Sequence, residues 1–239
     1  MTLARQVDRH HILESLLKAT VIQTPFEHCI IKSLFSEADF NEIHRCWPQL
    51  DAFEPLSTIN PDWYPERRQF KLTNENLLSL RSNQTKFWEN LRQSLISSDF
   101  SRAVAAKFGA TLAPRMKTMS SGIIELDLRI MEDRSNYSLA PHTDIKSKLL
   151  TILIYLPRDI TLCDIGTSLY KLRDPNRIFT SDQHHARKDF ELVSTVPFLP
   201  NSAFVFPRTD RSFHGVEPFI KPNATRKMLV YNIYLKTDS

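Results

Sequence analysis

"NYSLAPHTDIKSKLLTILIYL", residues 136–156, joins two unlike pieces of chain. His142 and Asp144 stand one residue apart, and the run that closes the stretch, Leu149 to Leu156, is almost wholly apolar. In an extended segment residues i and i+2 project from the same face, so the pair can present an imidazole and a carboxylate to one ion. Residues 148–156, with Ile, Thr and Tyr among leucines, predict a buried strand. One His-x-Asp is what chance supplies in a chain with 8 histidines and 27 acidic residues. The pair therefore takes its meaning from what surrounds it.

Working outward, "IIELDLRIM" (123–131) alternates as a strand does, and residues 190–198, 202–207 and 226–235 continue the series. "EHCIIKSLF" (27–35) adds an N-terminal strand. The rest of the first half predicts helices. Residues 36–47 open on Ser36 as N-cap and carry Phe40, Ile43 and Trp47 at helical spacing. Residues 84–97 place Phe87, Leu91 and Leu95 four apart, and residues 99–109 end at Gly109. Strands following a helical region imply an α+β, mainly β fold: a sandwich or jelly roll buttressed by helices. Residues 157–189 read as one long connection, containing "GTSLY", of the length that often serves as a lid. His184 and His185 within it point to opposite faces if extended, which makes a poor chelate, so they read as exposed and incidental.

Composition narrows the function. Apolar residues are 41% and charged residues 24%, ordinary for a globular protein. Net charge is +4, but acids are interspersed with the bases, so nothing resembles a nucleic-acid binder's basic run. No apolar stretch reaches the length of a membrane span and no signal peptide stands at the N-terminus. With Cys29, Cys46 and Cys163 odd in number and scattered, no disulfide framework is expected. A reduced, cytoplasmic protein is the expectation. Gly109, Gly122, Gly166 and Gly215 are the only glycines, which excludes both glycine-rich nucleotide loops.

A third ligand is available in "PRTDRSFHGVEPF". His214 lies 70 residues after Asp144 and follows the strand expected at 202–207. Two histidines and one carboxylate on one face leave three octahedral positions open, the pattern of non-haem Fe(II) oxygenases; a structural zinc site would be closed by four protein ligands. Arg226 opens the last strand, 12 residues beyond His214. Its guanidinium can hold a carboxylate through two parallel hydrogen bonds.

Taken together, "PHTD", "LLTILIYL", "SAFVFPRTDRSFHGVEP" and "RKMLVYNIYL" resemble the 2-oxoglutarate and Fe(II)-dependent dioxygenase superfamily, in particular its prolyl-hydroxylase-like branch. The resemblance covers roughly residues 123 to 235. It implies a double-stranded β-helix, or jelly roll, with N-terminal helices packed against it. One domain, 1–239, would then comprise a helix-rich support region (1–121) and the jelly-roll core (122–239). It implies that His142, Asp144 and His214 bind Fe(II) and that Arg226 binds the far carboxylate of 2-oxoglutarate. Tyr155 matches a family tyrosine that bonds the same carboxylate, with Thr151 on its strand face. Dioxygen would be the co-substrate, and an unactivated C–H bond would be hydroxylated with release of succinate and CO2. Arg129 is a candidate for the pocket wall. Arg208 and Arg211, beside His214, are candidates to meet an anionic substrate, and Trp63 and Tyr64 to form a pocket lip. The expected partner is a small-molecule substrate, with neither nucleic acid nor membrane; oligomeric state is not legible. The sequence departs from the family pattern where "GTSLY" replaces a Gly-Gly-x-Thr-like stretch, and where "IKPN" lengthens the interval from His214 to Arg226. Two other readings stay open: a cupin-like metal enzyme or binding protein that does not use 2-oxoglutarate, and an inactive sensing or interaction module.

Overall fold

The computed structural model describes residues 6–59, 64–118, 122–179 and 184–236. Its first helix, α1 (Arg9–Lys18), is capped by the Asp8 carboxylate, which accepts from the His11 backbone N–H at 3.0 Å. Two short strands follow, β1 (Val21–Ile22) and β2 (His28–Ile31). α2 (Glu37–Arg45) starts where Ser36 predicts, its hydroxyl accepting from Asp39 N–H. β3 (Glu54–Pro55), α3 (Leu56–Ile59), β4 (Arg67–Lys71) and α4 (Asn74–Leu78) lead to α5 (Ser82–Leu95). α5 buries Phe87, Trp88, Leu91 and Leu95 along one stripe. α6 (Ser98–Lys107) ends at Phe108, but the chain does not leave helix there: α7 (Gly109–Thr118) begins at once, with the Phe108 carbonyl accepting from Leu112 N–H at 2.9 Å. Gly109 thus marks a break between two helices, where the sequence predicted only an end.

The second half is strand: β5 (Ile123–Arg134), β6 (Leu139–His142), β7 (Lys148–Tyr155), β8 (Thr167–Leu172), β9 (Phe190–Val196), β10 (Ser202–Pro207), β11 (His214–Val216) and β12 (Thr225–Lys236). An eight-stranded antiparallel sheet runs β1-β2-β10-β7-β12-β5-β4-β3, and a four-stranded sheet runs β6-β11-β8-β9. Among the described residues, no helix is long and apolar enough to cross a membrane.

The strand at the heart of the opening stretch, β7, lies between β10 and β12 in the large sheet. Leu150, Ile152 and Ile154 join the core formed with the helices, including Trp88, Leu91 and Phe100. Thr151, Leu153 and Tyr155 point to the other face, where Phe198, Phe204, Phe206 and Met228 pack beneath the small sheet. A strand covered on both faces has no reason to alternate, which is why its sequence is a nearly unbroken apolar run.

Two expectations change. Residues 157–189 are not a lid-length connection, because β8 lies inside them and is a central strand of the small sheet. β8 is buried at five of its six positions, so it too lacks alternation. Its entry at Gly166 is tight: a Cβ there would sit 1.7 Å from the Val196 carbonyl oxygen. The first half is also more than helical support. It contributes β2, the strand expected at 27–35, to the large sheet, and with it β1, β3 and β4, segments too short to register as strands by period.

Candidate metal centre and its cavity

β6 ends at His142 and β11 begins at His214, and the two residues are register partners in the small sheet. Their ring centroids lie 4.4 Å apart. Asp144 follows two residues after His142, and the three side chains place one ligand atom each within 4.8 Å of one another. The structure therefore brings together residues separated by 70 positions, through a single strand pair.

Each imidazole is prepared for a ligand in the same way. His142 Nδ1 lies 3.0 Å from the Ala140 carbonyl, and His214 Nδ1 3.0 Å from the Ser212 carbonyl. A carbonyl only accepts, so Nδ1 carries the proton and Nε2 keeps its lone pair. Burial, reinforced by His214, holds His142 well below the ordinary imidazole range against the opposing pull of Asp144. Burial likewise lowers His214, with Asp144 opposing. For Asp144, burial alone would raise the carboxyl; the Lys148 ammonium and the two imidazoles outweigh it and hold it well below the usual carboxylate range. Two neutral imidazoles and an ionised carboxylate are the protonation states in which these groups bind a cation. Asp144 is itself oriented from both sides: Lys148 Nζ donates to Oδ1 at 2.7 Å and Thr151 Oγ1 to Oδ2 at 2.7 Å.

A cavity of about 120 Å³ opens beside this trio. Its walls include Thr151, Leu153, Met228 and Val230 from the large sheet and Gly215 and Val216 from the small one. Arg226 reaches it from β12 and is only 1% exposed. Arg226 Nη1 donates to Asp133 Oδ2 at 2.6 Å, while its Nε is buried with no hydrogen-bond partner among the described residues. That unmet donor suits a carboxylate ligand, so the donor set and the cavity together fit a metal with a bound keto acid.

Other expected residues fall differently. Tyr155 is buried and donates to Thr167 Oγ1 at 2.6 Å; Thr167 lines the cavity and Tyr155 does not. Thr151 does line it, with its hydroxyl directed to Asp144. Arg129 lies on the cavity side of β5 but turns away, pairing with Asp127 and donating to Gln69 at 2.9 Å. Arg208 braces the His142–Asp144 segment, donating through Nε to the Asp144 carbonyl at 3.0 Å and pairing with Asp210. Arg211 is exposed and donates to the Pro175 carbonyl. Neither Arg208 nor Arg211 lines the cavity. Trp63 lies outside the described residues.

His184 is exposed, as expected, but not incidental. Its ring meets that of His142 at 4.9 Å, and its Nδ1 lies 2.7 Å from Tyr64 Oη. His185 is buried among Phe179, Phe190 and Phe213, a core histidine. Sequence reading also passed over Arg67, Asp133, Lys148 and Arg115. Arg67 lines the cavity. The available signal was strand alternation: Arg67 faces inward to Asp133, and its neighbour Arg68 pairs with Glu132, the neighbour of Asp133. Arg115, on α7, donates to the carbonyls of Lys146, Lys148 and Arg208, which fixes the turn after Asp144.

No protein-family model matches the chain, and no curated protein matches it in sequence. Solved structures do match. An oxidoreductase of the 2OG-Fe(II) oxygenase family from Burkholderia pseudomallei aligns at TM-score 0.52 and 12% identity, covering 95% of this chain and 90% of that one. A Pseudomonas putida prolyl-4-hydroxylase aligns at 0.50 and 10%, covering 97% and 100%. The non-heme alpha ketoglutarate dependent epimerase SnoN from nogalamycin biosynthesis aligns at 0.50 and 12%, covering 95% and 80%. The shared feature at these identities is the fold: the two facing sheets described above are the jelly roll of these oxygenases.

Proposed function

We propose that the chain is a 2-oxoglutarate- and Fe(II)-dependent oxygenase that hydroxylates an unactivated C–H bond of a small molecule, releasing succinate and CO2. The observation that carries this is the convergence of His142, Asp144 and His214 beside a buried cavity that also receives the unmet guanidinium donor of Arg226. The jelly roll shared with solved oxygenases supports it.

His142, Asp144 and His214 would hold Fe(II) on one face, which supplies dioxygen activation coupled to keto-acid decarboxylation when bound. Lys148 and Thr151 keep the Asp144 carboxylate in place, and the two backbone carbonyls fix the imidazole rings. Arg226 would hold the keto acid by its far carboxylate. The apolar walls, Leu153, Met228 and Val230, exclude bulk water from the reacting end. A carboxylate at position 144, where a small residue would leave room for a halide, favours hydroxylation over halogenation. The small cavity, and the nogalamycin biosynthesis named for one structural neighbour, favour a small-molecule substrate.

The test is anaerobic reconstitution with Fe(II) and 2-oxoglutarate, followed by oxygen and candidate substrates, with succinate and mass change measured. His142→Ala and His214→Ala are expected to abolish succinate formation, and Arg226→Ala to raise the 2-oxoglutarate concentration required about tenfold or more. Turnover at the wild-type rate in either histidine variant rejects the ligand set.

A further inference from the structure

A second guanidinium enters the cavity from outside the jelly-roll motifs. Arg67, on β4, and Arg226, on β12, are both register partners of Asp133 on β5, so the three form one row across the inner face of the large sheet. Asp133 is fully buried and accepts from both arginines. Arg67 binds it with two nitrogens, Nε to Oδ1 at 2.5 Å and Nη2 to Oδ2 at 2.8 Å; Arg226 binds it with Nη1 alone. One carboxylate thus serves two cations, and a net positive charge is left in a place where Arg226 is 1% exposed. An uncompensated buried charge is costly, so this trio calls for an anion.

Donors for that anion are present. Arg226 Nε is buried and has no hydrogen-bond partner among the described residues. Arg67 Nη1 makes no hydrogen bond among the described residues, and Asp133 grips the opposite edge of the guanidinium. The Arg67 guanidinium also lies 4.3 Å over the Tyr137 ring, and the Tyr137 hydroxyl is buried with no partner among the described residues. Both arginines line the cavity that the metal-ligand trio borders.

We propose that Arg67 and Arg226 form a two-guanidinium subsite for a single carboxylate group, with Asp133 as the positioning residue that sets their spacing. That the occupant is the far carboxylate of 2-oxoglutarate rests on the oxygenase reading above; the subsite itself does not. A carboxylate has the planar two-oxygen shape that guanidinium donors match, and its charge neutralises the trio. Arg67→Met leaves Asp133 and Arg226 as a one-to-one pair, so the variant retains a compensated core.

Glutarate, a dicarboxylate without the keto group, is titrated calorimetrically into metal-free protein. 2-Oxoglutarate is then titrated anaerobically into the Fe(II)-loaded protein, following the visible charge-transfer band. Arg67→Met is expected to weaken both ligands about tenfold or more, the loss of one charge-assisted hydrogen bond. Arg67→Lys recovers part of that loss, and Co(II) affinity stays at the wild-type value in both variants. Unliganded melting temperatures check that the variants fold. If Arg67→Met and Arg67→Lys bind both dicarboxylates as tightly as wild type, or if wild type binds neither, the subsite is rejected. If glutarate binds in an Arg67-dependent way but Fe(II) with 2-oxoglutarate gives neither the band nor succinate, the subsite stands and the oxygenase reading falls.

Discussion

His44 shows how one side chain can record its surroundings. It projects from α2, packs edge-on against Phe40, and keeps Nε2 buried with no partner among the described residues. Burial, then the charges of Arg158 and Lys227, lower its pKa to about 4. His142 and His214 are lowered too, for the reasons given above. A histidine depressed in the folded state takes up its proton in the unfolded chain first, near pH 6.5. Metal-free protein is therefore expected to be most stable above about pH 6.5 and to lose stability steadily as pH falls toward 4. Melting temperatures measured across that window test this, and His44→Gln should flatten part of the slope. An equal slope in wild type and variant would remove His44 from the account. At this scale the three candidate metal ligands were legible, because His-x-Asp and a distant His are chemical types in a local pattern. The roles of Arg129 and Arg208 were not: a guanidinium's direction depends on which acid or carbonyl it meets, and Asp127 and the Asp144 carbonyl are set by neighbouring strands and turns.

Between elements, the site depends on how closely β11 lies against β6. Gly215 follows His214, and a Cβ on it would approach the Leu139 carbonyl oxygen to 2.5 Å. Gly215→Ala must push the two strands apart, and with them the His142–His214 pair whose register β11 and β6 set. The expected result is Co(II) or Fe(II) affinity lowered about tenfold or more, within the range for disturbing a metal ligand's support. Retention of wild-type affinity would show that the small sheet absorbs the added methyl. The long strands were readable in advance because β5, β7 and β12 run for 8 to 12 residues. β6, β8 and β11, at 3 to 6 residues each, were not among the expected strands, although β10 and β2, equally short, were.

Across the whole molecule, the first half and the jelly roll are one structure. β2 pairs with β10, and β4 pairs with β5. α5 and α6 cover the outer face of the large sheet, and Arg115 on α7 ties down the turn that carries Asp144. A chain of residues 122–236 alone would leave Ile152, Ile154 and Leu229 facing water. It is expected to aggregate or to lack cooperative melting, as judged by near-ultraviolet circular dichroism and amide proton dispersion. A sharply melting fragment would show instead that the helices only decorate the sheet. The sequence by itself determined the chemical identity and order of the three metal-ligand candidates, and that β7 is buried on both faces. Those properties follow from residue type and local period, which neighbouring positions encode. Only the tertiary structure decided that Arg67 and Arg226 share Asp133. That row is assembled by strand pairing between residues 67, 133 and 226, and long-range register leaves no periodic mark on the segments it joins.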